Sequence, residues 1–315
     1  KKIYYITAVF ATLFLVGCGD GIDLPGVNVE TDLNKIPLPD NNVNLEQVEL
    51  KPSTEPMLHE GLHTEEDFQR IRDKKAAGEE PWVSAYQLLV ESQFSQKTAD
   101  TYPTEWIKRG ISGDENYMNA ARGATIVYQQ ALRWKIEQDD EYAAKAVENL
   151  NKWVQTCVGV TGNTNLSLAA GLYGYEFAIA GELLRDYGGW DRADFAAFQN
   201  WLLKVFYPAN DDFLKRHHDT NALHYWANWC LCNIAAKMAI GIVTDRRDIY
   251  NEGIDHLQTG DTNGRLRRAI YHDYAPDYNF AQWQESGRDQ GHTLMCVGLM
   301  GIICQLAWSQ GDDFF

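Results

Sequence analysis

From Tyr117 onward, apolar residues recur at helical spacing. Tyr117, Ala121, Ala124, Tyr128, Ala131 and Trp134 form one stripe, and after a short Asp139-Asp140-Glu141 turn Tyr142, Val147, Leu150 and Val154 form the next. A second pair of helices is expected over about 165–186 and 191–206, broken at Gly188-Gly189, and a third over about 219–243 and 246–259. Upstream, Thr64 followed by Glu65, Glu66 and Asp67 reads as a capped helix start with acids in its first turn, and Phe68 and Ile71 supply its apolar stripe. Pro81 opens a further helix carrying Trp82, Tyr86 and Leu89. Residues 95–115 read as a loop in which Tyr102-Pro-Thr-Glu-Trp106 lines a cleft, and 291–310 is helical again. No convincing run alternates with period two. Helical hairpins repeated about every fifty residues predict an all-α array, either a solenoid or an α/α toroid. The Trp and Tyr content of the helices favours a toroid with a central cleft. Only about five hairpins are present, so an incomplete ring is expected, its C-terminus truncated.

The segments flanking this array differ in kind. Lys1-Lys2, an apolar run over residues 3–16 and Leu15-Val-Gly-Cys18 read as a bacterial secretory signal with a lipoprotein cleavage box. Cys18 would then carry a lipid that tethers a secreted protein to the outer membrane or the periplasmic side. The run is short for a span of about 20 residues. Residues 19–57, rich in Asp, Asn and Pro, read as a flexible tether, which leaves 58–315 as the folded catalytic domain. A net charge of −16 argues against nucleic acid, whose phosphates call for a basic face. Five cysteines besides Cys18, namely Cys157, Cys230, Cys232, Cys296 and Cys304, all sit in apolar helical contexts and read as buried thiols, with one disulfide as the alternative.

Three clusters carry candidate chemistry. In Asn221-Ala-Leu-His-Tyr-Trp-Ala-Asn-Trp229, helical spacing would put Asn221, His224 and Asn228 on one stripe with Tyr225 beside them, and Leu223, Trp226, Ala227, Cys230 and Leu231 on the opposite, apolar one. A stripe of amides, imidazole and phenol without Lys or Glu is unlike an ordinary solvated face and points to binding or catalysis, with Trp229 at its end. The other two clusters lie in the irregular stretch 260–290: Arg267-Arg-Ala-Ile-Tyr-His-Asp-Tyr274 followed by Tyr278, and Trp283-Gln-Glu-Ser-Gly-Arg-Asp-Gln-Gly-His-Thr293. A long irregular insert in a regular scaffold is where function tends to reside.

Arg268-Ala-Ile-Tyr-His-Asp-Tyr274 resembles the Arg-Ala-Leu-x-Tyr-His-x-Tyr segment of alginate lyases built on an α/α toroid. Asn221…His224-Tyr-Trp226 is similar to their Asn-His-x-Tyr-Trp. Glu285-Ser-Gly-Arg-Asp-Gln-Gly-His292 resembles a segment of Bacteroides-type lipoprotein alginate lyases, and the likeness spans about residues 60–315. Two departures stand out. Asn221 and His224 are separated by two residues where the family pair is adjacent, which makes Asn228 a second candidate for the amide role. The Arg-to-Tyr segment is one residue shorter, so either Arg267 or Arg268 is the matching arginine. The resemblance implies Tyr274, His224, Asn221 and Arg268 as reacting groups. It further implies that Asn228, Tyr225, Trp229, Arg267, Tyr278, Gln284, Glu285, Arg288 and His292 face the substrate, an anionic polysaccharide such as alginate.

The chemistry of these residue types stands beside the likeness. Opening a polyuronate by β-elimination removes the proton at C5, which is only weakly acidic while the C6 carboxylate is charged. Amide, imidazole and guanidinium donors around that carboxylate stabilise the enolate-like transition state. A tyrosine can act as acid, and as base where a nearby arginine brings its pKa below the usual value of about 10. His224 is a candidate either to neutralise the carboxylate or to act as base. Such a reaction calls for no metal or cofactor. A zinc site from His217, His218 and His224 lacks the supporting spacing. Glu285, Arg288 and Asp289 also read as a structural ion-pair network beneath the site. Two alternatives remain: a glycoside hydrolase using two carboxylates from Asp219, Asp273, Asp277, Glu285 and Asp289, or a non-catalytic glycan-binding lipoprotein.

Overall fold

The computed structural model describes residues 53–274 and 281–314. The signal segment with Cys18, most of the tether, and Tyr278 with Asp277 lie outside the described residues. The last residues of the stretch read as tether lie against the domain: Arg247 donates to the carbonyls of Glu55 and Pro56, Asn251 donates to that of Ser53, and Met57 is buried.

Helix α1 (Glu65–Ala76) begins at the expected cap. Thr64 Oγ1 accepts from Asp67 N while Asp67 Oδ2 accepts from Thr64 N, a reciprocal capping box. Helix α2 (Trp82–Glu91) follows Pro81. The long hairpins then succeed one another: α3 (Tyr117–Glu137) with α4 (Asp140–Thr156), α5 (Leu166–Leu184) with α6 (Arg192–Val205), and, after a short α7 (Tyr207–Arg216), α8 (Ala227–Val243) with α9 (Arg247–Thr259). A single turn, α10 (Leu266–Ala269), precedes the final helix α11 (Gln290–Ser309). Two small sheets interrupt the array. Strand β1 (Trp106–Arg109) pairs in parallel with β2 (Gly159–Gly162), and β3 (Ile270–Asp273) pairs antiparallel with β4 (Ala281–Trp283).

Side-chain contacts fix the directions of the helices. Ser167 and Asn233 meet near the starts of α5 and α8, while Arg185 reaches the carbonyls of Ile242 and Val243 at their ends, so these two helices run parallel. Likewise Tyr117 at the start of α3 stacks on Tyr173 in the first half of α5, and Trp134 in the last turn of α3 meets Tyr187 just past the end of α5. Helices α3, α5, α8 and α11 thus form an inner layer, and α4, α6 and α9 return outside it. The core lies between the layers, where Trp153, Phe177, Phe198 and Phe206 are fully buried and stack on one another through Trp201. Helix α11 is long and apolar enough to cross a membrane, but half of its apolar window is buried inside the domain, as expected of a core helix. The architecture is the all-α array of helical hairpins that the repeat predicts, arranged as an α/α toroid.

The stretch 95–115, read as a loop, contains strand β1, and the expected helix over 220–226 is also overturned. Residues 220–226 are not helical; α8 starts only at Ala227. His217, His218 and Asp219 all have positive φ, at 49°, 53° and 59°, and break the chain before the apolar run. The stripe of Asn221, His224 and Asn228 therefore does not form, and of its apolar counterpart only Ala227, Cys230 and Leu231 are buried. Tyr225 is buried, whereas Leu223 and Trp226 are 51% and 45% exposed.

Candidate active site

Because the inner helices are parallel, the segments that lead into them open on the same end of the domain. These segments are β1 before α3, β2 before α5, residues 217–226 before α8, and the irregular stretch 260–289 before α11. The described candidate residues lie on them or in the first turns that follow. Neither α5 nor α8 has a side-chain cap from its own preceding residue, so their N-terminal N–H groups add positive potential at this end.

The segment before α8 is held by its neighbours. Three consecutive left-handed residues without a glycine cost about 1–2 kcal/mol each, and packing compensates. His217 is buried against Phe213 at 4.8 Å between ring centroids, with Nε2 3.5 Å from Cys230 Sγ. Burial, and then the neighbouring His218, push the His217 pKa down. His218 Nε2 meets Ser167 Oγ at 3.0 Å. Asn221 Oδ1 accepts from Leu223 N at 2.8 Å and the Asn221 carbonyl accepts from His224 N at 2.9 Å, so the Asn221 carboxamide oxygen closes a local turn. Asn263 Nδ2 donates to the carbonyls of Leu223 and Tyr225, pinning that turn from the stretch after α9. His224 stays exposed, edge-on to the buried Tyr225 ring, which packs on Trp229 at 4.6 Å. The three imidazoles each pack on the Tyr225 ring, and among the described residues no group of three metal-ligating side chains forms.

The segment before α11 docks on the start of α8. Gln284 Oε1 accepts from Ala227 N at 2.9 Å, capping α8 from 57 residues away in the chain. Glu285 is wholly buried and accepts from Arg288 Nη1 at 2.7 Å, from Asn228 Nδ2 at 3.4 Å and from Cys296 Sγ at 3.1 Å. Asp289 caps α11, accepting from His292 N at 2.8 Å and meeting His292 Nδ1 at 2.7 Å; the backbone N–H first, and then the imidazole, hold its carboxyl below the usual range. Glu285, Arg288 and Asp289 thus form a bracing network. Arg288 remains 41% exposed at its side chain.

On the β3–β4 hairpin, Tyr274 Oη donates to Gln282 Oε1 at 3.1 Å, and its ring meets His272 at 4.5 Å. Arg268 Nη1 donates to the Asp261 carbonyl, while Arg267 is exposed. The structure therefore gives the Tyr274 hydroxyl an amide partner and the Arg268 guanidinium a carbonyl partner. All five cysteines that follow Cys18 are buried free thiols.

Comparison with known proteins bears directly on this arrangement. Residues 71–315 match the family model for alginate lyase. The chain belongs to the alginate lyase family. It is a polysaccharide lyase. The lyase shares its fold with alginate lyase A1-III from Sphingomonas species A1 (TM-score 0.55, 13% identity, 82% of this chain and 73% of that one). A variant of alginate lyase A1-III complexed with a tetrasaccharide superposes with TM-score 0.58 at 13% identity over the same shares. An alginate lyase from Bacteroides ovatus gives 0.56 at 14% identity, over 81% of this chain and 78% of that one. No curated protein matched.

Sequence reasoning on the lyase missed Asn263, Gln282 and Ser167, each of which holds a candidate residue or its loop. Asn263 had a visible signal, a turn-forming Thr-Asn-Gly at the start of the irregular insert. Gln282 and Ser167 had none, since their roles arise from contacts with residues remote in the chain or across a hairpin.

Proposed function

We propose that the lyase cleaves a uronic-acid polymer, alginate foremost, by metal-independent β-elimination at the end of the domain where the inner helices begin. The observation that carries this reading is the family match together with the convergence of the Tyr274, His224, Arg268 and Arg288 segments on that end. A net charge of −16 does not exclude an anionic substrate: Arg265, Arg267, Arg268 and Arg288 offer guanidinium donors in the segment before α11, interleaved there with Asp261, Asp273, Asp277, Glu285 and Asp289. In this scheme His224, an Asn carboxamide and an arginine of the Arg267-Arg268 pair neutralise the C6 carboxylate as the C5–H bond breaks. Tyr274 serves as the acid/base: its side-chain oxygen takes that proton and delivers one to O4 as the C4–O4 bond breaks. The C5–H electron pair forms the C4–C5 double bond and the side chain ends in the protonation state in which it began, so no other reagent is consumed. Asn221 fits the amide role better than Asn228: it is exposed, and its side-chain oxygen is engaged in its own turn, which leaves Nδ2 to donate. Asn228 is buried in the first turn of α8, and its Nδ2 donates to Glu285.

Lys1-Lys2, the apolar run and Leu15-Val-Gly-Cys18 support secretion and anchorage through lipid on Cys18.

The test is ultraviolet absorbance of the new double bond with polymannuronate, polyguluronate and glucuronan, using wild type and Tyr274→Phe. A rise with one polymer, lost by at least ~100-fold in Tyr274→Phe without a change in melting temperature, is the expected result. New reducing ends without that absorbance would instead mean hydrolysis by a carboxylate pair.

A further inference from the structure

We infer that Arg109, a residue outside the candidate set, is a second carboxylate-binding group of the same cleft and holds a uronate unit other than the one undergoing cleavage. The inference rests on the polyuronate reading above.

Arg109 ends β1, the segment leading into α3, and so lies at the end of the domain where the other inner-helix segments gather. Its guanidinium sits over the Tyr117 ring, 4.7 Å from the centroid, and Tyr117 in turn stacks on Tyr173 of α5. Nη1 is buried and has no hydrogen-bond partner. Several arginines of this acidic chain pair with carboxylates: Arg72 with Glu65, Arg133 with Glu137, Arg185 with Glu182 and Arg288 with Glu285. No carboxylate among the described residues pairs with Arg109. A charged donor kept from water and left unpaired is costly, and such a group is retained where an absent partner completes it.

The location of that charge is readable from its neighbours. Burial pushes the Tyr173 hydroxyl and the Cys232 thiol well above their usual values, and Arg109 opposes the rise at both. Cys232 Sγ donates to the Trp229 carbonyl in the first turn of α8, so the guanidinium charge is felt beside the His224-Tyr225-Trp229 segment. The backbone that carries Arg109 is fixed. Gly162 on β2 has φ of +146°, and a Cβ there would stand 1.8 Å from the Arg109 carbonyl oxygen. Gly110 has φ of +81°, and a Cβ there would fall 1.9 Å from Asn163 Oδ1. A planar guanidinium held on an aromatic ring, with Nη1 lacking a partner, matches a carboxylate. In a polyuronate every sugar carries one, so a second arginine away from the Tyr274 segment selects a charged neighbour unit.

The experiment uses the full chain with Arg109→Gln and Arg109→Lys, on whichever uronate polymer the wild type cleaves, over a series of salt concentrations. Arg109→Gln is expected to raise KM about tenfold or more, a larger change than its fall in kcat. The slope of log KM against log salt is expected to flatten by about one charge. Arg109→Lys should recover the slope but only part of the KM. A KM within about twofold of wild type overturns the inference while the lyase reading stands. A raised KM with the wild-type salt slope also overturns it, because it marks a purely structural role for the Tyr117 contact. If wild type neither binds nor cleaves any uronate polymer, the substrate reading fails and takes this inference with it.

Discussion

Glu285→Ala tests whether the candidate site is braced by a single buried carboxylate. In the wild type that carboxylate is fully buried and links Arg288, Asn228 and Cys296. Its removal leaves the Asn228 carboxamide, 2% exposed, with neither end paired, since Oδ1 already lacks a partner; that costs about 1–3 kcal/mol. Arg288 is 41% exposed at its side chain, so water replaces its lost partner and the ion pair counts for only about 1 kcal/mol. The void left by the missing carboxymethyl atoms adds about 1 kcal/mol. The sum is roughly 3–5 kcal/mol, a fall in melting temperature on the order of 10 °C for a domain of this size. Glu285→Gln keeps the volume and an acceptor, and should lose about 1–2 kcal/mol. Glu285→Ala also loosens Gln284, whose bond to Ala227 N caps α8, so kcat/KM of that variant should fall about tenfold or more. Thermal unfolding by circular dichroism and the double-bond assay measure the two effects. A melting temperature within about 2 °C of wild type would refute the bracing argument. A large loss of stability with unchanged kcat/KM would show that the brace does not set the site.

Two further outcomes concern stability and thiol chemistry. Burial pushes the His63 and His256 pKa values down to about 4 and the Glu176 carboxyl up to about 8. Between pH ~6.5 and ~4 the unfolded chain binds protons that the two folded imidazoles refuse, so stability falls as pH is lowered. Between pH ~4.5 and ~8 the folded chain keeps a proton on Glu176 that the unfolded chain releases, so that group's cost grows as pH rises. Glu176→Gln should therefore add roughly 3–5 kcal/mol at pH 8 and under about 1 kcal/mol at pH 5 in urea unfolding; equal gains at both pH values would refute the assignment. The five thiols from Cys157 onward are buried, and burial raises Cys157 and Cys230 to about 11 and Cys304 to about 12. They should stay unlabelled by a thiol reagent in the native protein and react together on unfolding; fast labelling of any one would contradict its burial.

The hairpin array was legible because it is written in local periodicity: the Thr64 cap, the Tyr117–Trp134 stripe and the break at Gly188-Gly189 each act within a few residues of themselves. Helix α7 was not read separately. Pro208 sits at its start, but Asp211, Asp212, Lys215 and Arg216 give it too thin an apolar stripe to stand out. The site was legible as a set of residue types but not as a geometry. Its decisive contacts, Gln284 to Ala227, Glu285 to Asn228 and Asn263 to Tyr225, join positions 38 to 57 residues apart, which no periodicity encodes. The misread stripe is the instructive case. Asp219-Thr-Asn221 had turn chemistry available, and the structure uses it, spending three left-handed residues to stop a helix that the apolar spacing would have continued. That break buries Tyr225 and leaves His224 and Trp226 exposed at the end where the inner helices begin. A continuous helix would instead have presented Asn221, His224 and Asn228 along one stripe and buried Trp226. Local preference and final structure diverge here at the segment that carries the candidate chemistry, as expected where a backbone is selected for a site rather than for its own stability.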